Sequence, residues 1–231
     1  DRPAPLDFAA ALRRQGVSLI AEVKRASPSK GLLCPDLSSL DLAQTYARNG
    51  AVAISVLTDL RFFHGSLDDL ARIRHGLDGD IPLLRKDFIF DPYQVYEARA
   101  FGADAVLLIA AVLSDESLTE LLSLTRELGI AGLVEVHNEE EIACVLPLEP
   151  CVVGINNRDL RDFSVDLDTF GRLRSLVPGH IIAVAESGVR TAEDVQRLAV
   201  LGADGALVGE ALVTAQDPAA KVRELVAGGS S

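Results

Sequence analysis

One local pattern repeats from end to end of this chain, and it constrains the fold more than any other feature. A short run of aliphatic and β-branched residues is followed by a polar or glycine-containing turn, then by a stretch with helical spacing. The predicted strands are Leu19–Val23, Ala53–Leu57, Leu83–Arg85, Ala105–Ile109, Gly132–Val136, Val152–Ile155, Ile182–Ala185 and Gly205–Val208. Each is nearly continuous in apolar character, as expected of parallel strands covered on both faces. The predicted helices are Leu40–Arg48, Leu67–His75, Pro92–Phe101, Glu116–Leu128, Glu139–Leu146, Leu167–Leu176, Ala192–Leu201 and Pro218–Val226. Ser66 and Asp91 suit helix caps, Pro92 and Pro218 suit a first helical position, and Gly50, Gly102, Gly129 and Gly202 stand where a left-handed stop is wanted. Three of those stops recur as a phrase, Asn49-Gly50-Ala51, Gly102-Ala103-Asp104 and Gly202-Ala203-Asp204, each running directly into a strand.

An array of eight strands, each followed by a helix, predicts an α/β protein built as a single (β/α)8 TIM barrel. The 231 residues fit the roughly 200–250 that such a barrel takes. The rival is an open doubly wound sheet, but no G-x-G-x-x-G follows the first strand. No Pro/Ser-rich linker interrupts the chain, so residues 1–231 are expected to form one domain, loose only over 228–231.

Charge narrows the partners. The formal net charge of −12 argues against nucleic acid or an anionic membrane, which are held by basic stripes. It leaves room for a small anion if a few cations converge in a cleft. No apolar run nears the roughly 20 residues needed to span a bilayer, and the plain reading is a cytoplasmic protein. Cys34, Cys144 and Cys151 have no metal-ligand spacing and read as reduced thiols, so no metal site is expected. The oligomeric state stays open between a monomer and a weak dimer. With no methionine in the chain, Asp1 reads as lying downstream of the natural start.

Polar residues gather at one end of these apolar strands: Glu22 and Lys24 on the first, Lys86 on the third, Glu135 on the fifth. Asn156 and Arg158 end the sixth, Glu186, Ser187 and Gly188 the seventh, Gly209 and Glu210 the eighth. In such barrels the carboxyl ends of the strands carry the chemistry. Period-2 alternation puts Glu22 with Lys24, Leu84 with Lys86, and Leu133 with Glu135 on shared faces. Two lysines and two or three carboxylates converging over the mouth make a proton-transfer site, with lysine pKa values expected to fall on burial and carboxylate values to rise. Ser187-Gly188 and Gly209, which opens a short helical stretch, are expected to cradle a phosphate, with Arg158 adding a charged hydrogen bond.

In order, Ala21-Glu22-Val23-Lys24-Arg25-Ala26-Ser27-Pro28-Ser29, Phe63-His64-Gly65-Ser66, Leu84-Arg85-Lys86-Asp87-Phe88-Ile89, Leu133-Val134-Glu135-Val136-His137, Gly154-Ile155-Asn156-Asn157-Arg158-Asp159-Leu160, Ala185-Glu186-Ser187-Gly188-Val189 and Leu207-Val208-Gly209-Glu210 resemble the indole-3-glycerol phosphate synthase family over essentially the whole chain. The resemblance implies closure of a pyrrole ring, in which 1-(2-carboxyphenylamino)-1-deoxyribulose 5-phosphate loses carbon dioxide and water without metal or organic cofactor. By that similarity Lys86 is the general acid for ring closure, while Lys24 pairs with the anthranilate carboxylate and is the second candidate for proton donation. Glu135 serves the dehydration, while Glu22 and Asn156 orient the lysines and the sugar hydroxyls. Ser27, Pro28, Glu186 and Glu210 match substrate-contacting positions; Arg158, Ser187, Gly188 and Gly209 match the phosphate side. Phe63 and Phe88 match the wall of the aromatic ring. Two residues depart from many relatives: Asp59 stands where Glu is common, and Glu210 where Ser is common. A carboxylate repels phosphate, so Glu210 is expected to point away. The family's N-terminal covering segment is expected to be absent or truncated here.

Plainer roles compete. Glu22 with Lys24 fits a structural ion pair, Asn156 and Ser187 fit turns and caps, and Phe63 and Phe88 fit an ordinary core. His64, His75, His137 and His180 are scattered and are assigned structural roles. Two other functions also fit the scaffold, a Schiff-base aldolase using Lys86 as nucleophile and a phosphate-ligand-binding barrel without catalysis.

Overall fold

A computed structural model describes residues 3–27, 31–34, 38–77, 80–159 and 164–230. Eight strands close into a parallel barrel: β1 (Ser18–Val23), β2 (Ala53–Leu57), β3 (Leu83–Lys86), β4 (Ala105–Ile109), β5 (Ala131–Val136), β6 (Val152–Asn156), β7 (Ile182–Glu186) and β8 (Gly205–Val208). The ring shuts where β1 pairs with both β2 (Ile20 opposite Ala53) and β8 (Ile20 opposite Leu207). The expected fold class is therefore correct, and every expected strand lies within a residue or two of its observed bounds.

The outer layer consists of α2 (Ser39–Arg48), α4 (Leu67–Gly76), α5 (Pro92–Ala100), α6 (Asp115–Glu127), α7 (Glu139–Val145), α8 (Asp168–Arg174), α9 (Ala192–Val200) and α11 (Pro218–Gly229). Ser66 caps α4, and Asp91 forms a reciprocal capping box with Gln94 on α5, as their positions suggested. Three shorter helices complete the set: α1 (Phe8–Leu12), α3 (Leu60–Phe63) and α10 (Glu210–Val213). A small hairpin pairs Ala26–Ser27 with Gly31–Leu32 just beyond β1. No helix among the described residues is long and apolar enough to cross a membrane.

Side-chain parity decides what faces the barrel axis. Ile20, Leu84, Leu107, Leu133, Val152, Val184 and Leu207 pack in one inner cluster, while their strand neighbours Ala21, Val106, Val134, Val153 and Ala183 pack outward under the helices. Helix α1 seals the amino end: Phe8 and Leu12 are buried in the inner cluster, and Ser18 Oγ donates to Leu12 O at 3.2 Å. Five residues are too few to display helical periodicity, which is why the sequence reading contains no helix there. With the bottom plugged and the middle filled by apolar layers, the described residues leave the barrel open at its carboxyl end.

The recurring Gly-Ala-Asp phrase is a brace used twice, four units apart around the ring. Gly102 (φ 94°) and Gly202 (φ 82°) leave α5 and α9 in the left-handed conformation. The aspartates that follow accept from the preceding strand, Leu83 N to Asp104 Oδ2 and Ala183 N to Asp204 Oδ2, both at 2.8 Å. Their carbonyls accept from the next strand, Ala131 N to Asp104 O and Ser18 N to Asp204 O, both at 2.9 Å. Arg74 and Arg174 tie down the glycine carbonyls through Nε, at 3.0 and 2.7 Å. Each brace thus joins three successive strands.

Asp104 also accepts Leu6 N at 2.8 Å and pairs with Arg74. Asp104→Ala strands buried amides and removes a carboxylate from a half-buried guanidinium, so it is expected to cost about 3 kcal/mol. Urea unfolding checks this: the midpoint falls with unchanged slope, and a midpoint equal to the parent's would show the brace to be ornamental.

Candidate active site

The open end holds a cleft of about 530 Å³ whose floor is formed by Glu22, Lys86, Glu135, Asn156 and Glu186, with Lys24 on its wall. Each is the last inward-facing residue of its strand or the next inward position beyond it, so the parity that fills the barrel with aliphatics also aims these groups at one point. Glu22, Glu135, Asn156 and Glu186 are all at least nine-tenths buried.

Lys86 is the hub. Its Nζ lies 2.7 Å from Glu186 Oε2, 3.7 Å from Glu135 Oε2 and 4.0 Å from Glu22 Oε2. Glu22 turns its other oxygen to Lys24, at 2.9 Å. Asn156 donates Nδ2–H to Glu135 Oε1 at 3.1 Å and accepts Arg158 N at 3.0 Å. Asn156 is therefore part of the charge cluster and also a turn residue. Glu22 with Lys24 is one link in a longer network, so the isolated ion pair considered above does not describe it.

The electrostatics reverse the expectation for Lys86 and for two of the three carboxylates, Glu22 and Glu135. Burial alone would depress Lys86, but Glu186, Glu135 and Glu22 together outweigh it and hold the ammonium above its ordinary range. Burial also opposes ionisation of Glu22, and Lys24 and Lys86 overcome it, leaving that carboxyl below its usual value. Glu135 is likewise held low against burial, by Lys86, by the nearby His137 and by the hydrogen bond from Asn156. Glu186 goes the other way: burial and the negative charges of Glu135 and Glu22 push it up, against the pull of Lys86. Its Oε1 is buried and accepts no hydrogen bond among the described residues. Three acids around one lysine thus split into two ionised groups and one disposed to hold a proton.

Glycines make room for this. A Cβ on Gly154 would overlap Glu186 Oε1, and one on Gly209 would overlap the Glu22 carboxylate. Gly209 therefore seats a carboxylate, a role its sequence position did not reveal.

At the rim between β7 and β8, Ser187 (φ 65°) and Gly188 (φ 87°) are consecutive left-handed residues, and Ser187 O accepts from Asn157 Nδ2 at 3.1 Å. A non-glycine residue at positive φ is uncommon and is held there by its surroundings, here by the bond from Asn157. Arg158, Gly209 and Glu210 line the same rim. Glu210 is among the residues lining the cleft, and its carboxylate lies 3.5 Å from Arg190 Nη2. Asp59 caps α3 by accepting Phe62 N at 2.6 Å. Phe63 and Phe88 are not core: their rings lie 6.5 Å apart, Phe88 is 39% exposed, and both line the cleft. Ser27 lies in the hairpin beyond β1, and Pro28 lies outside the described residues.

Sequence reasoning missed His137 and Arg190. His137 Nε2 approaches Glu135 Oε1 at 3.1 Å. The signal was available, because His137 stands two residues after Glu135 and shares its face. Arg190 lines the cleft just past the Ser187-Gly188 turn.

The family model described as indole-3-glycerol phosphate synthase matches residues 2–225. The chain belongs to that family. A curated indole-3-glycerol phosphate synthase of Dehalococcoides mccartyi is 55% identical over 96% of this chain and 86% of its own length. One from Roseiflexus sp. RS-1 is 57% identical over 98% and 87%. Among solved structures, a 3-hexulose-6-phosphate synthase superposes with a TM-score of 0.68 at 17% identity, covering 92% of this chain and 99% of the other. A tryptophan synthase complex from Pyrococcus furiosus gives 0.67 at 19%, with the same coverage. At such identities these two likenesses establish the barrel alone.

Gly154→Ala puts a methyl group against Glu186, so it is expected to part Glu186 from Lys86. Within the family's activity, kcat should drop at least about tenfold with the far-UV circular dichroism unchanged. Parent-level kcat would show that the 2.7 Å contact is dispensable.

Proposed function

We propose that this protein is an indole-3-glycerol phosphate synthase: it closes, decarboxylates and dehydrates 1-(2-carboxyphenylamino)-1-deoxyribulose 5-phosphate, with residues 1–231 acting as one catalytic unit. The observation that carries the reading is the convergence of Glu186, Glu135 and Glu22 on Lys86 at the floor of the cleft, in a chain of this family.

The chemistry follows from the groups. Attack of the carboxylate-bearing aromatic carbon on the ketone makes the carbonyl oxygen an incipient alkoxide, which needs a proton. Lys86, kept protonated by its acids, supplies it, and Glu186, pushed up in pKa and 2.7 Å away, is placed to restore it. Lys24 offers a second cation for the substrate carboxylate until the C–C bond to it breaks and carbon dioxide leaves, its electron pair restoring the aromatic ring. Dehydration then expels the new hydroxyl with a proton, while the adjacent methylene carbon gives up its hydrogen. Glu135, held ionised, is the base suited to take that hydrogen. Phe63 and Phe88 flank the entrance on the side of β2 and β3 and suit a planar ring. Arg158 and the backbone at Ser187, Gly188 and Gly209 suit the phosphate at the opposite rim. The free thiols of Cys34, Cys144 and Cys151 accord with a cytoplasmic enzyme.

Mixing the protein with the carboxyphenylamino substrate should generate indole fluorescence. Lys86→Ala should lower kcat by about 10²–10⁴-fold while still binding a reduced substrate analogue. Full activity in that variant removes Lys86 from the mechanism. Borohydride added during turnover should trap nothing; a covalent adduct would favour an aldolase.

A further inference from the structure

His137 follows β5 and is flanked by two carboxylates. Its Nδ1 is 3.1 Å from Glu141 Oε2 on α7, and its Nε2 is 3.1 Å from Glu135 Oε1 on its own strand. The first contact is a hydrogen bond, whereas the second is too poorly aligned for one and acts as a contact between charges. Glu141 is itself fixed from three sides: His137 N donates to it at 2.7 Å, Asn138 Nδ2 donates at 2.7 Å, and its own amide is capped by Asn138 Oδ1. The imidazole is therefore pinned at one end by a rigid acid and presents its other end to Glu135. The side chain is only 11% exposed, so solvent screens this pair weakly.

The other groups around Glu135 do not make His137 redundant. Lys86 from β3 is 3.7 Å away but is shared with Glu186 from β7 and Glu22 from β1, and Asn156 from β6 is neutral. Lys86 is divided among three acids, and Lys24 answers Glu22 at 2.9 Å, so the further cation within reach of Glu135 is His137, which approaches from the end of its own strand and is not among the residues lining the cleft.

We infer that His137 is a positioning residue: as an imidazolium clamped between Glu141 and Glu135, it keeps Glu135 ionised and fixed in place as the base of the dehydration. This rests on the function proposed above. Burial disfavours the charged ring, but the close contact with Glu135 and the hydrogen bond and charge of Glu141 prevail and raise its pKa to about 10. The second cation lets Glu135 stay a base even while Lys86 gives up its proton to the substrate.

Two measurements test this on the intact protein. In ¹⁵N-histidine-labelled protein, the imidazole resonances assigned through His137→Gln should show both nitrogens protonated at pH 8, and Glu141→Gln should lower that titration. A neutral His137 ring at pH 8 overturns the inference whatever the activity. In the pH dependence of kcat/KM, loss of the cation raises the Glu135 pKa. The acid limb should therefore move to higher pH by about 1 unit in His137→Gln, and in the same direction by less in Glu141→Gln. Limbs that coincide with the parent's would assign His137 a purely structural role. A parent protein with no activity would instead defeat the proposed function and leave the resonance test to decide the charge of His137.

Discussion

An ammonium group ringed by acids is the constraint on which the rest of this molecule depends. Lys86 Nζ has Glu186, Glu135 and Glu22 within 4.0 Å, in a floor that is almost wholly buried. Removing charges from water is costly, and only mutual attraction at short range offsets that cost. No single carboxylate is replaceable without consequence, because each sets the protonation of the others. The arrangement also answers a chemical problem. A proton donor that must stay protonated near neutrality and a base that must stay ionised sit a few ångströms apart, and another acid, 2.7 Å from the donor, is biased to hold a proton.

The barrel is what makes such crowding possible. Three acids brought together on one strand or helix would repel and splay, whereas here they arrive on three strands, each locked in register by parallel pairing. Ala-Asp braces at the amino ends of β4 and β8 fix those strands to their neighbours at the closed end. Absence of a side chain matters as much as presence: Gly154 and Gly209 are the spaces into which Glu186 and Glu22 fit. Stability and function are therefore separated along the axis. Apolar layers and α1 occupy the bottom and middle, and the destabilising charges are confined to the open end.

Much of this was legible from residue order because the information is local. Continuous apolar runs, capping residues and left-handed glycines specify each βα unit independently, and period-2 parity carried Glu22, Lys86 and Glu135 to the same mouth. What escaped was non-local or short. Helix α1 is too brief to show a period, and its identity as a plug depends on Phe8 and Leu12 meeting residues from distant strands. The direction of the Lys86 shift could not be read from its neighbours in sequence, since Glu22, Glu135 and Glu186 all lie far away along the chain. A buried lysine alone is expected to lose its proton; one inside a cage of acids keeps it. His137 shares a face with Glu135 in the sequence, but its part in the site shows only once Glu141, on the next helix, is seen on its other side. The pairing of Glu210 with Arg190, twenty residues away, is likewise a contact that residue order does not display.

The cage around Lys86 is tested most directly by the titration of its own ammonium group. With ¹⁵N-labelled lysine and Lys86→Arg for assignment, the Nζ resonance should keep its charged shift beyond the ordinary lysine midpoint of about 10.4. It should fall toward that value when Glu186 is changed to Gln. A midpoint below that of free lysine would mean that desolvation prevails over the three carboxylates, and the account of proton donation built on them would be wrong.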